Sequence, residues 1–507
     1  MHSFNQPEPT PLAFGVVKQI LREFDVTSSV EGPLAQSVRI FWPLDSGLAE
    51  RVRTGATSLT DASTSEEQIR FFQRHRARRS YIKVAATITE RHGRVQIRIG
   101  NCHLLDEPSR EFLTVASEVC GWQIEYTPSI VETPDRLPGW SAEDEEILRI
   151  TAGDEISGRL DDVWKAAFEF INVGDAWSGI ALGRTMTQYE QTPRVWNLLA
   201  LGYAMLNETE NAEFYYRRWA ADGGDLDKVR AYYGIAMLYA RHHPVGLRKL
   251  DVAEAYLGDA YVLLQQMDSS TRSLDAIVFE EVFNRNGHAL ILFRRGEVDD
   301  ALALLEWGIS RLTETSEKVA IHRSVLMYNL AQCQRQLRNG EAAIAAYERL
   351  LEVDPYMPEY RFEAAKCYAF AGDLPSAIQA AKTGVELDDS LASGWSLLGV
   401  YLERAHELDD ASHAFQKAYD LDPKSPKYAL DFAYALLLSD RTQQARSVIR
   451  RASPATRAQA ERQANLLAEA WLKENKVEQA IKEIELAMEA LPGSETLGRN
   501  LSILRAK

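Results

Sequence analysis

A stretch of 34 residues, 392–425, constrains the fold of this chain more than any other part of the sequence. Its first half spaces apolar or small residues as one face of an α-helix requires, at Trp395, Leu398, Gly399 and Leu402. Its second half carries a second apolar stripe at Ala411, Phe415 and Ala418, and it ends at Asp422-Pro423 because proline disfavours helical geometry in the residue before it. The stretch therefore predicts two helices that cross closely at Gly399 and Ala411. Such a hairpin cannot bury both stripes alone, so it must stack on copies of itself.

These residues stand where the tetratricopeptide repeat (TPR) carries its signature, and the stretch resembles that family, with Leu402 in place of the family's tyrosine. The small position of Ala411 recurs at intervals close to one repeat, at Ala343, Ala377, Ala445 and Ala480. The pattern indicates about nine repeats over residues 160–494, followed by a short closing helix. The resemblance implies a mainly α fold, a TPR α-solenoid whose stacked hairpins form a superhelix with first helices lining its concave side.

The residues before the repeats show no such period and predict a small α+β domain. We expect a flexible tail over 1–11, the α+β domain over 12–130, a linker with a leading helix over 131–159, and the TPR superhelix with a C-terminal capping helix over 160–507. Apolar periodicity predicts helices at 12–24 and 66–79 and a helix or strand at 109–120, whereas alternation predicts strands at 38–42 and 122–126 and a β-hairpin formed by 81–89 and 94–101. This part, residues 66–126, loosely resembles the TolB-like amino-terminal domain that precedes TPR arrays in some bacterial transcription regulators.

Charge and composition indicate which partners and which cellular compartment to expect. The chain has 507 residues and a formal net charge of −16, which argues against binding nucleic acid along its whole length. No basic segment followed by an apolar run marks a signal peptide, and no run of apolar residues is long enough to span a membrane. The four cysteines form no C-x-x-C pair, so we interpret them as buried thiols of a cytoplasmic protein without a membrane partner.

No catalytic motif with strong spacing is visible. A P-loop, a G-x-S-x-G elbow, an H-E-x-x-H helix and a dinucleotide-binding glycine pattern are all missing from the sequence. Cys102 and His103 fall in a predicted strand, where adjacent side chains point to opposite faces, so they make a poor nucleophile and base. His242 and His243 have no ligand at metal spacing and predict a solvated turn. We therefore expect no catalytic residues, no metal site and no cofactor.

The repeat register predicts which side chains line the concave groove. Asparagine amides there can bond to a peptide backbone, and aromatic side chains can form pockets. The alternative is that these are only solvated surface residues. The predicted partner-binding residues are Asn197, Asn286, Tyr328, Phe362, Lys366, Arg335, Glu403 and Asn465.

A basic segment interrupts the acidic chain between residues 70 and 98. Arg70, Arg74, Arg78 and Arg79 lie in the predicted helix there, and Arg70, Arg74 and Arg78 are one helical turn apart in succession. The segment is either a solvated face that pairs with the acidic repeats or a docking surface for an acidic partner or a phosphate.

Three functions remain open on the sequence alone. The leading hypothesis is a non-enzymatic scaffold or adaptor that binds a protein or peptide in its concave groove, with a homodimer as an open arrangement. The second is a regulatory or signalling protein of the TolB-like plus TPR type, acting in gene control, although we expect no nucleic-acid partner. The third is an accessory protein that presents a peptide substrate to a biosynthetic enzyme.

Overall fold

The chain forms two compact units, residues 1–357 and 358–507. The structure is a computed structural model that describes residues 1–55, 57–59, 73–132, 139–313 and 316–506. None of the described helices is long and apolar enough to cross a membrane.

A small parallel sheet organises the beginning of the first unit. Its strands are β1 (His2–Asn5), β2 (Gln96–Gly100) and β3 (Gln123–Tyr126), in the order β1-β2-β3. Both pairs are parallel, with His2 opposite Ile97 and Gln96 opposite Gln123. Parallel neighbours need crossover connections, and helices supply them here. The helices of this part are α1 (Gly15–Glu23), α2 (Pro33–Val38), α3 (Ser46–Thr54), α4 (Gln73–His92) and α5 (Glu107–Cys120).

Aromatic rings fill the core between these elements. Phe41 meets Phe14 at 5.0 Å and Phe112 at 5.8 Å between ring centroids, both edge-on, and Tyr81 meets Phe112 at 5.8 Å. Edge-to-face pairs of this kind stabilise beyond the burial of area alone. The predicted α+β character of this part is confirmed, and helix 12–24 and strand 122–126 are found close to their predicted bounds, as α1 and β3.

Three local predictions here are wrong. The flexible tail is corrected because residues 2–5 form the edge strand β1. Residues 38–42, predicted as a strand, are the last residue of α2 and the turn after it. The apolar residues Val38, Ile40, Phe41 and Trp42 are all buried rather than alternating.

The predicted β-hairpin is the third error, since its first arm lies inside helix α4. Tyr81, Val84, Ala85 and Ile88 are fully buried at helical spacing, so tertiary burial of one helical face overrides the strand preference of β-branched residues. The predicted helix at 66–79 falls partly outside the described residues, and its described end begins α4.

The rest of the chain is built from helical hairpins. A leading helix, α6 (Ala142–Ala152), begins at a capping box formed by Ser141 and Asp144. Nine hairpins follow it between residues 160 and 490 of the described chain, as the repeat pattern predicts. Their first and second helices are α7 (Leu160–Val173) and α8 (Ala176–Met186), α9 (Pro193–Met205) and α10 (Thr209–Asp222), α11 (Asp225–Met237) and α12 (Leu250–Gln266), α13 (Asp275–Arg295) and α14 (Val298–Arg311), α15 (Glu317–Gln336) and α16 (Gly340–Val353), α17 (Pro358–Phe370) and α18 (Leu374–Leu387), α19 (Ala392–Arg404) and α20 (Leu408–Leu421), α21 (Pro426–Leu438) and α22 (Thr442–Arg451), and α23 (Arg457–Lys473) and α24 (Val477–Ala490).

A closing helix, α25 (Glu495–Arg505), buries Leu497, Leu501 and Leu504 against the last hairpin. The predicted fold class is confirmed as mainly α, with repeated helical hairpins after a small amino-terminal α+β part.

The predicted close crossing explains the signature of residues 392–425. A Cβ built on Gly399 would lie 2.7 Å from a ring carbon of Phe415, closer than real Cβ contacts come. Ala411 is 2% exposed on the facing second helix. Gly399 and Ala411 are therefore small because α19 and α20 touch there.

The turns inside the hairpins share one backbone conformation. In eight of the nine, a residue of positive φ lies between the first and second helices; these are Gly174, Asn207, Gly296, Arg338, Gly372, His406, Asp440 and Asn475. Such a left-handed residue reverses the chain after a helix, at a steric cost that only glycine escapes.

The exception is the hairpin of α11 and α12, whose connection is longer. The predicted solvated turn at His242 and His243 is wrong, because the two side chains are only 8% and 3% exposed. His243 Nδ1 lies 3.0 Å from Thr209 Oγ1, and its Nε2 lies 3.3 Å from a carboxylate oxygen of Glu213. Both contacts tie the connection to the preceding hairpin.

Buried polar groups join the amino-terminal part to the leading helix α6 and to the first hairpin. Lys18 on α1 forms a 2.7 Å ion pair with Asp144 on α6, and the two side chains are 1% and 0% exposed. The backbone N–H of Ala13 donates to Ser178 Oγ at 2.8 Å. Asp175, the N-cap of α8, accepts hydrogen bonds from the backbone N–H and the hydroxyl of Ser178. The first unit is therefore continuous across this junction.

Asp175 should make stability depend on pH. Burial raises the pKa of this carboxyl from 3.8 to about 7, although Ser178 and Lys18 oppose the rise and Asp106 reinforces it. The folded state then holds a proton that the unfolded state releases, so the contribution of Asp175 is largest below pH 3.8 and is lost as the pH rises towards about 7.

We expect Asp175→Asn to flatten that fall, because asparagine keeps the cap without titrating. Urea denaturation of both proteins across this pH range measures the difference in the free energy of unfolding. Parallel curves for wild type and variant would contradict the assignment.

Candidate functional site

A row of polar side chains connects the first helices α19, α21 and α23 in the second unit. Asp431 on α21 is at its centre and is 8% exposed. Its carboxylate accepts from Lys427 Nζ at 3.0 Å, from Ser396 Oγ at 3.1 Å and from Arg462 Nη1 at 2.7 Å. We call Ser396, Glu403, Lys427, Asp431, Tyr434 and Arg462 the first-helix row.

The two cations of the row reach solvent. The side chains of Lys427 and Arg462 are 54% and 42% exposed, whereas the carboxylate between them is buried. One carboxylate thus orients two cations and neutralises one of their charges. The remaining positive charge faces solvent with N–H donors to spare, and this arrangement can accept an anionic group from a partner.

Tyr434 and Glu403 extend the row. The Tyr434 hydroxyl donates to Glu403 Oε1 at 3.3 Å, from α21 to α19. Burial and the neighbouring Glu403 carboxylate raise the pKa of Tyr434 above its ordinary value, so the phenol stays protonated and remains a donor.

Local sequence explains how these side chains converge. Lys427, Asp431 and Tyr434 follow one another at i, i+4 and i+7 on α21, which places them on one helix face. Ser396 and Arg462 come from the first helices before and after it. Both bond to Asp431, which is 35 residues after Ser396 and 31 residues before Arg462. The repeat period therefore brings successive first helices into register across the row.

The residues predicted to line the groove have different environments in the structure. Glu403 belongs to the first-helix row. Lys366 Nζ is 2.5 Å from Glu363 Oε1, one turn away on its own helix. Arg335 likewise donates to Gln332, one turn away on its helix, at 2.5 Å. Tyr328 packs edge-on against Tyr347 at 6.1 Å between ring centroids, and Asn197 is half-buried on α9.

Phe362 is corrected from groove to core. Its side chain is 6% exposed, and a Cβ built on Gly394 or Gly384 would lie 2.2 or 2.5 Å from its ring. The ring therefore occupies the space that these two glycines leave open.

Two of the asparagines predicted to bond to a peptide backbone, Asn286 and Asn465, bond to other asparagines in the structure. Asn329 Nδ2 donates to Asn286 Oδ1 at 2.9 Å, and Asn500 Nδ2 donates to Asn465 Oδ1 at 2.8 Å. The first pair joins the consecutive first helices α13 and α15, and the second joins the first helix α23 to the closing helix α25. These amides stabilise the stack, and any contact of theirs with a partner stays a prediction.

The predicted basic patch lies only partly within the described chain. Arg70 falls outside the described residues, and the side chain of Arg74 is not among those described. Arg78 and Arg79 are half-buried on α4. Docking of an acidic partner at these residues stays a prediction.

Sequence reasoning missed Lys427, Asp431 and Arg462. Lys427 and Arg462 occupy matching places in successive repeats, and Asp431 follows Lys427 by four residues on the same helix. A search for charges that recur at one repeat position would have found them.

Comparison with known proteins agrees with the helical hairpins. A family model of the tetratricopeptide repeat matches residues 328–392. A small glutamine-rich tetratricopeptide repeat-containing protein of Mycosarcoma maydis is 32% identical over 84 residues, and the match covers 17% of this chain and about a quarter of that protein's length.

Two solved structures are similar at lower identity. One is a tetratricopeptide repeat protein from Parabacteroides merdae, 14% identical, covering 55% of this chain and 99% of that one with a TM-score of 0.35. The other is PilF of Pseudomonas aeruginosa, also 14% identical, covering 44% and 98% of the two chains with a TM-score of 0.36.

Proposed function

We propose that this chain, whose hairpins are tetratricopeptide repeats, is a non-enzymatic scaffold that binds a protein or peptide partner along its first-helix row. The observation that carries the proposal is the buried Asp431 holding two exposed cations, Lys427 and Arg462. A stack that needed these residues only for stability would gain little from ion pairs that open to water.

The chemistry of the row indicates the kind of partner. The row offers cationic N–H donors beside a protonated phenol, and the Lys427 ammonium also lies 4.9 Å from the ring centre of Tyr428. An extended segment with an acidic side chain fits these groups, because a carboxylate pairs with the cations while a backbone N–H of the segment donates to the phenol oxygen.

The second candidate function, a role in gene control, rests on the resemblance of residues 66–126 to a TolB-like amino-terminal domain. The β-hairpin predicted in those residues is not formed, because its first arm lies inside helix α4. No contact among the described residues favours a substrate-presenting accessory protein over a general scaffold.

Affinity capture with the full chain tests the proposal. We expect a partner that the wild-type chain captures to be lost with Lys427→Ala/Arg462→Ala, because both cations that face the partner disappear. The matched control is Lys417→Ala/Lys482→Ala, which removes the same charge from exposed positions on the second helices α20 and α24. Mass spectrometry of the captured proteins identifies the partner, and calorimetry on the purified complex then measures its affinity.

Two results would contradict the proposal. If the first-helix row variant binds the identified partner as tightly as the wild type and the control do, the row is not the binding surface. If the purified chain alone turns over a substrate, the protein is an enzyme and the non-enzymatic part of the proposal is wrong.

A further inference from the structure

A short segment near the end of the chain reverses the overall charge. Residues 441–457 carry five arginines and no aspartate or glutamate, in a chain whose formal net charge is −16. The arginines are Arg441, Arg446, Arg450, Arg451 and Arg457. Since Lys427 and Arg462 lie outside this segment, the first-helix row does not account for it.

Three of these arginines line one surface groove. Arg446, Arg450 and Arg451 on α22 enclose about 460 Å³ together with Gln443, Ser447 and Trp471. We call these six residues the arginine groove. None of the six carries a negative charge, and all but Trp471, whose indole N–H donates to Glu483 Oε1 at 3.2 Å, can offer N–H or O–H donors to a ligand.

The floor of the groove is held in place by stacking. The Arg446 guanidinium lies 3.9 Å from the ring centre of Trp471, and its side chain is only 13% exposed. Lys476 Nζ lies 5.1 Å from the same ring. A guanidinium stacked on an aromatic face keeps its N–H groups directed outwards in its own plane.

Two carboxylates outside the groove lining form ion pairs with arginines of the groove. Arg446 pairs with Glu474, which also accepts from Lys476 at 2.8 Å, and Arg450 Nη2 lies 3.3 Å from Glu483 Oε1. A guanidinium has five N–H donors, so each of these pairs leaves most of the donors unused. Arg451 makes no ion pair or side-chain hydrogen bond within the described chain.

The pKa of Glu474 reflects an excess of positive charge beside the arginine groove. Hydrogen bonds from Lys476, Arg446 and Thr442 lower the pKa of Glu474 to about 2. The carboxylate therefore stays ionised at any physiological pH, and the cations around it still outnumber the two resident carboxylates.

We propose that the arginine groove binds a dianionic phosphoryl group, as a phosphorylated side chain or inorganic phosphate presents it. Three guanidinium forks with a serine hydroxyl and a glutamine amide match the several acceptor oxygens of a phosphoryl group better than the two oxygens of a carboxylate. The groove shares no residue with the first-helix row, so this site is additional to the proposed partner surface.

Calorimetry with the full chain and short synthetic peptides tests the site. The probe is a five-residue glycine peptide with phosphoserine at its centre, compared with the same peptide carrying serine or glutamate. We expect the phosphoserine peptide alone to bind measurably, and inorganic phosphate to compete with it. Arg450→Gln/Arg451→Gln should weaken binding about tenfold or more, because each charged hydrogen bond lost costs roughly that factor.

The controls separate the groove from general attraction. Arg441→Gln/Arg457→Gln removes the same charge from the same segment outside the groove lining and should leave the affinity near that of the wild type. Arg450→Lys/Arg451→Lys keeps the charge but removes the forks, and we expect it to bind less tightly than the wild type. All variants change exposed side chains, and equal melting temperatures confirm that each is folded.

Several outcomes would overturn the proposal. They are the absence of phosphoserine-peptide binding, equal binding of the glutamate peptide, failure of inorganic phosphate to compete, and equal weakening by the control variant. The row variant Lys427→Ala/Arg462→Ala should bind the phosphoserine peptide normally, so failure here and failure of the proposed partner surface are distinguishable.

Discussion

Replacing Phe362 by alanine is expected to lower the free energy of unfolding by about 3–5 kcal/mol, the usual cost of truncating a buried aromatic side chain. The ring is 6% exposed and fills the space beside Gly384 and Gly394. Glycines cannot close a cavity with side-chain atoms, so we expect the cost to lie towards the upper end of that range. Chemical denaturation of the full chain, followed by circular dichroism, measures the change.

The matched control lies on the same helix. Phe370 on α17 is 61% exposed, so Phe370→Ala should change the free energy of unfolding by no more than about 0.5 kcal/mol. If Phe362→Ala leaves stability unchanged but weakens partner binding, Phe362 is a groove residue after all. Equal decreases in the free energy of unfolding for Phe362→Ala and Phe370→Ala would contradict the finding that only Phe362 is buried.

The second large effect is expected at the junction of the amino-terminal part with the hairpins. Lys18→Met should destabilise by about 3–5 kcal/mol, because it leaves Asp144 as an uncompensated buried charge. Both side chains are almost completely shielded from water, and Oδ1 of Asp144 has no hydrogen-bond partner even in the intact pair. Thermal and urea unfolding of the full chain measure the loss.

Lys228→Met is the matched control for that change. Lys228 pairs with Asp225 at 3.5 Å, and both side chains are exposed, so its removal should cost less than about 1 kcal/mol. The double variant Lys18→Met/Asp144→Leu should recover much of the lost stability, since replacing a buried ion pair by apolar groups is often neutral or stabilising. Failure of that recovery would show that the pair does more than compensate its own burial.

The repeats were predictable because their stability is local. Gly399, Ala411 and Phe415 lie within one hairpin, and the sequence of that hairpin is enough to predict their contact. Side-chain orientation within the row was less predictable, since it depends on the neighbouring repeat. Asn286 and Asn465 occupy predicted groove positions, yet Asn286 bonds to an asparagine of the next first helix and Asn465 to one of the closing helix.

The amino-terminal part was harder to predict for a different reason. Tyr81 and Ile88 fit a strand by residue type and a helix by spacing, and only the packing of α4 decides between them. The sequence around residues 2–5 does not predict a strand, because the strand that pairs with β1 is almost a hundred residues away. Strand pairing over such a distance leaves no periodic signal.

That distance also sets an order of events during synthesis. His2 pairs with Ile97, and the Asn5 side chain bonds to the backbone of Val131, whereas the two helices of each hairpin follow one another directly in the sequence. At roughly 5–20 residues per second, β1 waits about 5–20 seconds on the ribosome before β2 has been made. During that interval its open edge is available to other chains, so slower translation or loss of nascent-chain chaperones should harm the yield of this part before it harms the hairpins.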